Sequence, residues 1–167
     1  IDLSCNIFGI KYSLPFGVAP VGLSGFIWPN SEEYIATAAT SNNIPYALST
    51  VATSTPEEIG VFLKNGWFQL YPPKDLDVLK SLLNRAKRAG FTRLIVTADI
   101  PMPSIRESAR KSGFPIPPKY SFRLILQALR KPIWGIKTIV TGPPRLKTVE
   151  SYTSVTSLKF VSGFVGN

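Results

Sequence analysis

The sequence contains no histidine. Its absence removes the commonest general base, the commonest metal ligand and any Ser/His or Cys/His nucleophile pair. Cys5 is the only cysteine, which excludes an internal disulfide and a thiolate metal cluster and fits a reducing compartment. No metal site is expected. Acidic residues are missing from 108–149, where Arg110, Lys111, Lys119, Arg123, Arg130, Lys131, Lys137, Arg145 and Lys147 stand without a counter-charge. Elsewhere ten cations meet ten acids, so the net charge of +9 belongs to one segment. Long apolar runs are lacking too. Tyr12–Ser31 is broken by Pro15, Gly17, Pro20, Gly22, Gly25 and Pro29, and Tyr34–Pro56 is rich in Ser, Thr and Asn. Neither makes the continuous apolar helix of about 20 residues that spans a bilayer. No secretory signal is visible, although the chain opens on Ile1 rather than Met. A cytoplasmic location is expected.

Apolar residues, at 44 per cent, are plentiful despite 15 prolines and 12 glycines, and 167 residues suffice for one domain with a core. The chain is organised around Leu94–Arg106, LIVTADIPMPSIR. An apolar, β-branched strand gives way there to Thr97 and Asp99 and then to Pro101 and Pro103. Side chains alternate along a strand, which puts Ile95, Thr97 and Asp99 on one face and Leu94, Val96 and Ala98 on the other. Polarity appears only at the C-terminal end, where parallel α/β sheets and barrels keep their active sites.

Three further strands precede it: Pro15–Pro20, Ile44–Thr50 and Trp67–Tyr71. Helices are predicted between them. The first covers Asn30–Asn43, with Asn30 and Glu33 resembling a capping box and Tyr34, Ile35, Ala38 and Ala39 at helical spacing. The second starts at Thr55, Pro56 and Glu58, and the third covers Asp75–Ala89, with Leu76, Leu79, Leu82, Leu83, Ala86 and Ala89 on one side and Gly90 as its stop. Strand ends fall near residues 20, 50, 71 and 99, and short strand–helix–strand connections require parallel strands. Large apolar residues share one face of each strand (Phe16 and Val18, Tyr46 and Leu48, Phe68 and Leu70, Leu94 and Val96). Small or polar ones share the other (Gly17 and Ala19, Ala47 and Ser49, Gln69 and Tyr71, Thr97 and Asp99). An outer face against helices and an inner face towards a ligand would read this way, whereas a doubly wound sheet would show continuous aliphatic runs. The expectation is part of a (β/α)8 TIM barrel, with about four parallel strands and a long basic loop after the fourth.

That loop, about 108–150, carries a predicted helix at Phe122–Leu129 and then an irregular stretch through Pro132, Gly142, Pro143 and Pro144, while 151–167 carries no clear pattern. An excursion of such length is usually functional. In 119–140 apolar residues such as Leu124, Ile133, Trp134 and Ile136 interleave with Lys119, Arg123, Arg130, Lys131 and Lys137. That is the mix of a membrane-surface segment. Nucleic acid is not expected as a partner, since these cations belong to no recognisable binding module.

In order, the strand-end motifs are PFGVAPVGLSG (15–25), ALSTVATSTPEE (47–58), WFQLY (67–71) and VTADIPMPSIRE (96–107), followed by SGFPIPP (112–118). In these motifs the sequence resembles the FMN-dependent α-hydroxy acid dehydrogenases, which include lactate and mandelate dehydrogenases and glycolate oxidase. The resemblance runs from Pro15 to about Pro118, and the basic stretch beyond is similar to the long loop of membrane-associated members. It implies FMN as cofactor, a small L-2-hydroxy acid as substrate, and a homo-oligomer in the complete enzyme. The backbone of Pro20, Val21 and Gly22 would lie against the flavin ring, and Ser49, Gln69 and Thr97 would hydrogen-bond its polar edge. Tyr71 and Arg106 would hold the substrate, and Asp99 would orient and charge-stabilise a catalytic histidine.

Departures from the family pattern are Ser31 for a glycine, Val51 at a position often aromatic in oxidases, Pro72 and Pro73 after Tyr71, and Ala109 for an acid. The family's flavin-stabilising lysine, its general-base histidine and its main carboxylate-binding arginine belong to the second half of the barrel. Residues 1–167 are therefore expected to be one partial FMN-binding domain, the N-terminal half of the barrel, inactive alone. The enzyme is expected in the cytoplasm or peripheral on the inner face of the membrane, and the rival expectation is a non-enzymatic basic protein bound to a membrane surface through residues 110–147.

Overall fold

The computed structural model describes residues 1–98 and 130–152. It begins with an antiparallel hairpin, β1 (Cys5–Ile7) and β2 (Ile10–Tyr12), joined by Phe8 and Gly9. Both turn residues have positive φ, 53° and 81°, as a tight primed hairpin turn requires. Phenylalanine is a costly occupant of that position. Tertiary contacts hold it: the Phe8 ring lies 5.8 Å from that of Trp67, and Arg93 Nη2 donates to the Phe8 carbonyl at 2.6 Å. The sequence reading had no strand here.

The main sheet is parallel, in the order β3 (Ala47–Ser49), β4 (Gly66–Leu70), β5 (Phe91–Val96). The segment predicted as the first strand contributes only a parallel bridge from Val18 to Tyr46, with the Val18 N–H donating to the Pro45 carbonyl at 2.8 Å. Pro15 and Pro20 have no N–H to extend that ladder. Gly17 lies so close to Pro45 that a Cβ would sit 2.7 Å from its carbonyl oxygen. The order of a barrel's first four strands is thus present without a closed barrel.

Helix α1 (Ser31–Ser41) links the first segment to β3, α2 (Pro56–Gly60) links β3 to β4, and α3 (Leu76–Arg88) links β4 to β5. The α2 start is the expected capping box: Thr55 Oγ accepts from the Glu58 N–H, and the Glu58 carboxylate accepts from the Thr55 N–H. In α3, Asp75 caps the Asp77 and Val78 amides, and Gly90 stops the helix at φ 89°. The box expected at Asn30 does not form. Asn30 is left-handed, with φ 60° and no side-chain cap bond, whereas an effective cap residue sits in the extended region. The buried face of α1 also differs from the expected one. Glu32, Ala36 and Ala39 turn inward, and Tyr34 and Ile35 are exposed; the two alanines join the core under the sheet, and Glu32 takes bonds from Thr53.

The core lies between the outer face of the sheet and these helices, with Tyr46, Leu48, Phe68 and Leu70 against Ala36, Ala39, Ile59, Leu82 and Ala86. The inner and outer faces therefore follow the alternation predicted from sequence. Phe16, Leu94 and Val96 are exceptions, exposed by 59%, 47% and 55%; they flank the sheet at its two ends, where no described neighbour covers them. Leu76 is exposed as well, at the first turn of α3.

Beyond residue 129 the expected loop through Pro132 is instead a helix, α4 (Pro132–Thr141), with proline in the first turn, where no amide partner is lost. A single turn, α5 (Lys147–Glu150), follows. Leu146 and Val149 bury themselves against Leu23 and Val51, and Arg85 joins Glu57 at 2.7 and 2.9 Å while reaching the Thr148 carbonyl at 3.3 Å. The segment 145–152 thus docks back on the sheet-and-helix body. The predicted helix at Phe122–Leu129 lies outside the described residues.

Candidate active site

The C-terminal ends of the parallel strands carry a row of polar side chains. Ser49 ends β3, Gln69 is the next-to-last residue of β4, and Thr97 follows β5, its N–H still donating to the Leu70 carbonyl at 3.1 Å. Because the strands are parallel and in register, with Ser49 beside Gln69 and Gln69 beside Ile95, these side chains fall on one face. They form one chain of hydrogen bonds. Ser49 Oγ donates to Gln69 Oε1 at 2.9 Å, and Gln69 Nε2 donates to Thr97 Oγ1 at 2.7 Å. Ser49 and Gln69 are buried, so each bond carries the cost of stranding a polar atom if its partner is lost.

A second layer lies behind the row. Thr50 Oγ1 donates to the Gln69 carbonyl at 2.6 Å and accepts from the Tyr71 N–H at 3.2 Å, tying the end of β3 to that of β4. Tyr71 is half-buried at this end of the sheet. The loop from Pro20 to Gly25 closes over the neighbouring strand end. Val21 is exposed, and Gly22 packs so tightly on Val51 that a Cβ would meet its Cγ2 at 2.6 Å. The Leu23 N–H donates to the Val51 carbonyl at 2.9 Å. The structure therefore gathers Pro20, Val21, Gly22, Ser49, Gln69, Tyr71 and Thr97 at one end of the sheet. Asp99 and Arg106 lie outside the described residues.

Glu32 was not anticipated. It is 2% exposed, and its carboxylate accepts from the Thr53 N–H at 2.9 Å and Thr53 Oγ1 at 2.7 Å. Burial pushes its pKa up, but the bonds from Thr53 and Ser24 outweigh that and leave it below the ordinary carboxylate value. Tyr46, buried and facing the Glu32 charge, has its phenol pushed up and stays neutral. The sequence did hold a signal: Glu32 and Glu33 are the only charges between Lys11 and Glu57.

The family model of FMN-dependent dehydrogenases matches residues 1–163. The chain belongs to this family. It is similar to the L-lactate dehydrogenases of Vibrio parahaemolyticus (36% identical, covering 99% of this chain and 44% of that protein) and Xanthobacter autotrophicus (38% identical, 100% and 44%). In structure it is similar to monotopic membrane (S)-mandelate dehydrogenase, with TM-score 0.82 and 29% identity over 97% of this chain and 43% of that one. Mandelate oxidase matches at TM-score 0.65 and 32% identity over 69% and 35%. The chain spans less than half the length of these relatives, and its fold is a partial FMN-dehydrogenase barrel. FMN is the family's cofactor, and the donor set suits it: two hydroxyls and a carboxamide, each able to donate or accept, match a ring edge that alternates carbonyl oxygens with N–H.

Proposed function

We propose that residues 1–167 are the N-terminal, FMN-binding half-barrel of an enzyme that oxidises an L-2-hydroxy acid to the 2-oxo acid and that they are inactive alone. The Ser49–Gln69–Thr97 row carries this reading. A hydrogen-bonded row on the inner face of adjacent parallel strand ends is a poor core and a good polar wall for a flat heteroaromatic ring. Bound FMN supplies the acceptor for the two electrons leaving the substrate's α-carbon. The chain's own residues bind and orient. Ser49, Gln69 and Thr97 meet the polar edge of the ring, and the backbone of Pro20, Val21 and Gly22 lies against its face. Tyr71 meets the substrate, Arg106 pairs with its carboxylate, and Asp99 holds and charge-stabilises a histidine supplied by the second half of the barrel. The experiment is a visible absorption spectrum of the purified full-length protein. A flavin spectrum that bleaches anaerobically on addition of L-lactate or L-mandelate is expected, and a protein without flavin would refute the proposal.

A membrane surface is the second part of the reading, favoured by α4. None of its residues is buried, and Ile133, Ile136, Ile139 and Val140 are all exposed. Among the described residues no helix is long and apolar enough to cross a membrane, so contact would be peripheral. The Lys137 ammonium lies against two rings, 5.0 Å from that of Trp28 and 5.6 Å from that of Tyr34. Arg130 and Lys131 are exposed, and each is worth about 1 kcal/mol near an anionic leaflet. Cosedimentation of the full-length protein with anionic liposomes should fall with salt and with R130E/K131E. Binding indifferent to both would reduce the segment to a cover over the barrel mouth. Residues 119–129 of the expected surface segment lie outside the described residues.

A further inference from the structure

We propose that Glu32 is a positioning residue for the flavin site, a buried carboxylate that locks the 50–55 loop against the 20–25 loop and so sets Ser49 and Gly22 in one frame. The inference rests on the flavin reading above. Glu32 sits in the first turn of α1, on an element that does not reach the polar row. One oxygen takes both the N–H and the hydroxyl of Thr53, and the other takes the hydroxyls of Ser31 at 3.3 Å and Ser54 at 3.5 Å. No cation pairs with it among the described residues. It is a charge held by neutral donors: Thr53 and Ser54 from the 50–55 loop, Ser24 from the 20–25 loop and Ser31 from its own helix.

What that loop touches gives the arrangement its direction. Thr53 packs directly on Gly25, leaving no room for a Cβ there. Two residues earlier Val51 packs on Gly22, its carbonyl takes the Leu23 N–H, and its own N–H donates to Ser49 Oγ at 3.3 Å. Ser49 then donates to Gln69. A contiguous path thus runs from Glu32 through Thr53 and Val51 to both candidate flavin contacts, the glycine loop and the polar row. A carboxylate buried only to hold α1 in place could bond anywhere on the helix's neighbours. This one bonds the residues that join the two loops. Loss of the acceptor oxygens frees Thr53, and the loops can shift by the few tenths of an ångström that matter to a ring held by oriented donors.

The test uses the full-length protein and reads the FMN dissociation constant by fluorescence quenching, the vibronic shape of the bound-flavin absorption bands, and the thermal midpoint. Glu32→Ala is expected to weaken FMN binding at least tenfold and to alter the bands. Glu32→Gln, which keeps an acceptor for Thr53, should recover most of both. Asp75→Ala, which removes the α3 cap away from both loops, should lower the midpoint and leave flavin affinity within twofold. Should Glu32→Ala fail to fold, Thr53→Val removes one of its bonds and should shift affinity in the same direction by a smaller factor. A folded Glu32→Ala, or in its place Thr53→Val, with wild-type affinity and bands would overturn the inference while leaving the flavin reading intact. Absence of FMN from the wild-type protein would overturn both.

Discussion

The sheet-and-helix body and helix α4 are both rich in aliphatic residues, yet they place them oppositely. In the body, Leu48, Phe68, Ile59 and Leu82 are all but inaccessible to solvent, while α4 leaves Ile133, Ile136, Ile139 and Val140 in the open. Composition cannot separate the two regions. Topology does: β3, β4 and β5 offer one apolar face to three helices, whereas α4 follows the strands and meets the rings of Trp28 and Tyr34 through Lys137. In the reading proposed above, this exposed aliphatic helix between basic residues faces an anionic bilayer.

The largest expected effect concerns what the body lacks. The isolated 167 residues should show no flavin-dependent turnover of lactate, glycolate or mandelate, because a missing positioned base costs about 10²- to 10⁴-fold before the other half-barrel contacts are counted. Steady-state assay of the isolated chain beside the full-length protein checks this, and comparable rates would remove the half-barrel reading.

Next comes the comparison itself. Leu82→Ala should lower unfolding stability of the full-length protein by about 2–5 kcal/mol, the usual cost of emptying a packed leucine site. Ile139, 82% exposed, should cost no more than about 0.5 kcal/mol when changed to Ala and should weaken liposome binding instead. Denaturant titration and cosedimentation of both variants sharpen the contrast. A large stability loss in Ile139→Ala would mean that α4 is covered and the comparison fails.

Much of the body was legible in the sequence because its rules are local. Period-two alternation put Ser49 and Gln69 on one face and Leu48 and Phe68 on the other, and Thr55, Pro56 and Glu58 announced a helix start that the structure reproduces bond for bond. What was illegible depends on contacts distant in sequence. Phe8 is tolerated at positive φ only because Trp67 and Arg93 hold it, and Asn30 fails as a cap because its backbone turns left-handed. Glu32 reads as an ordinary first-turn acid until Thr53, 21 positions away, closes on it. The stretch after Lys131 reads as a loop for its prolines, although proline in the first turn is compatible with the helix it begins. Asp99 and Arg106 remain assignments from the family pattern.

The smallest expected effect is on pH. Glu32 has a folded pKa below its ordinary value, so its contribution to stability is complete above the ordinary glutamate range of about 4.3 and disappears as pH falls through the lower folded value. Between about pH 5 and 3 the wild-type thermal midpoint should therefore fall more steeply than that of Glu32→Gln, which has no proton to gain. Parallel curves would assign the acid sensitivity to other carboxylates, such as Glu57 held low by Arg85.

The polar row can be tested by titrating FMN into the full-length apoprotein, wild type and Gln69→Leu. Gln69 joins Ser49 to Thr97 from the central strand at 2.9 and 2.7 Å, and leucine matches its bulk without either bond. One FMN per chain in the wild type and at least tenfold weaker binding in a folded Gln69→Leu is the expected result, about 1.4 kcal/mol or more and in keeping with the loss of buried hydrogen bonds. Equal affinity in the two proteins would contradict the assignment of this face to the flavin.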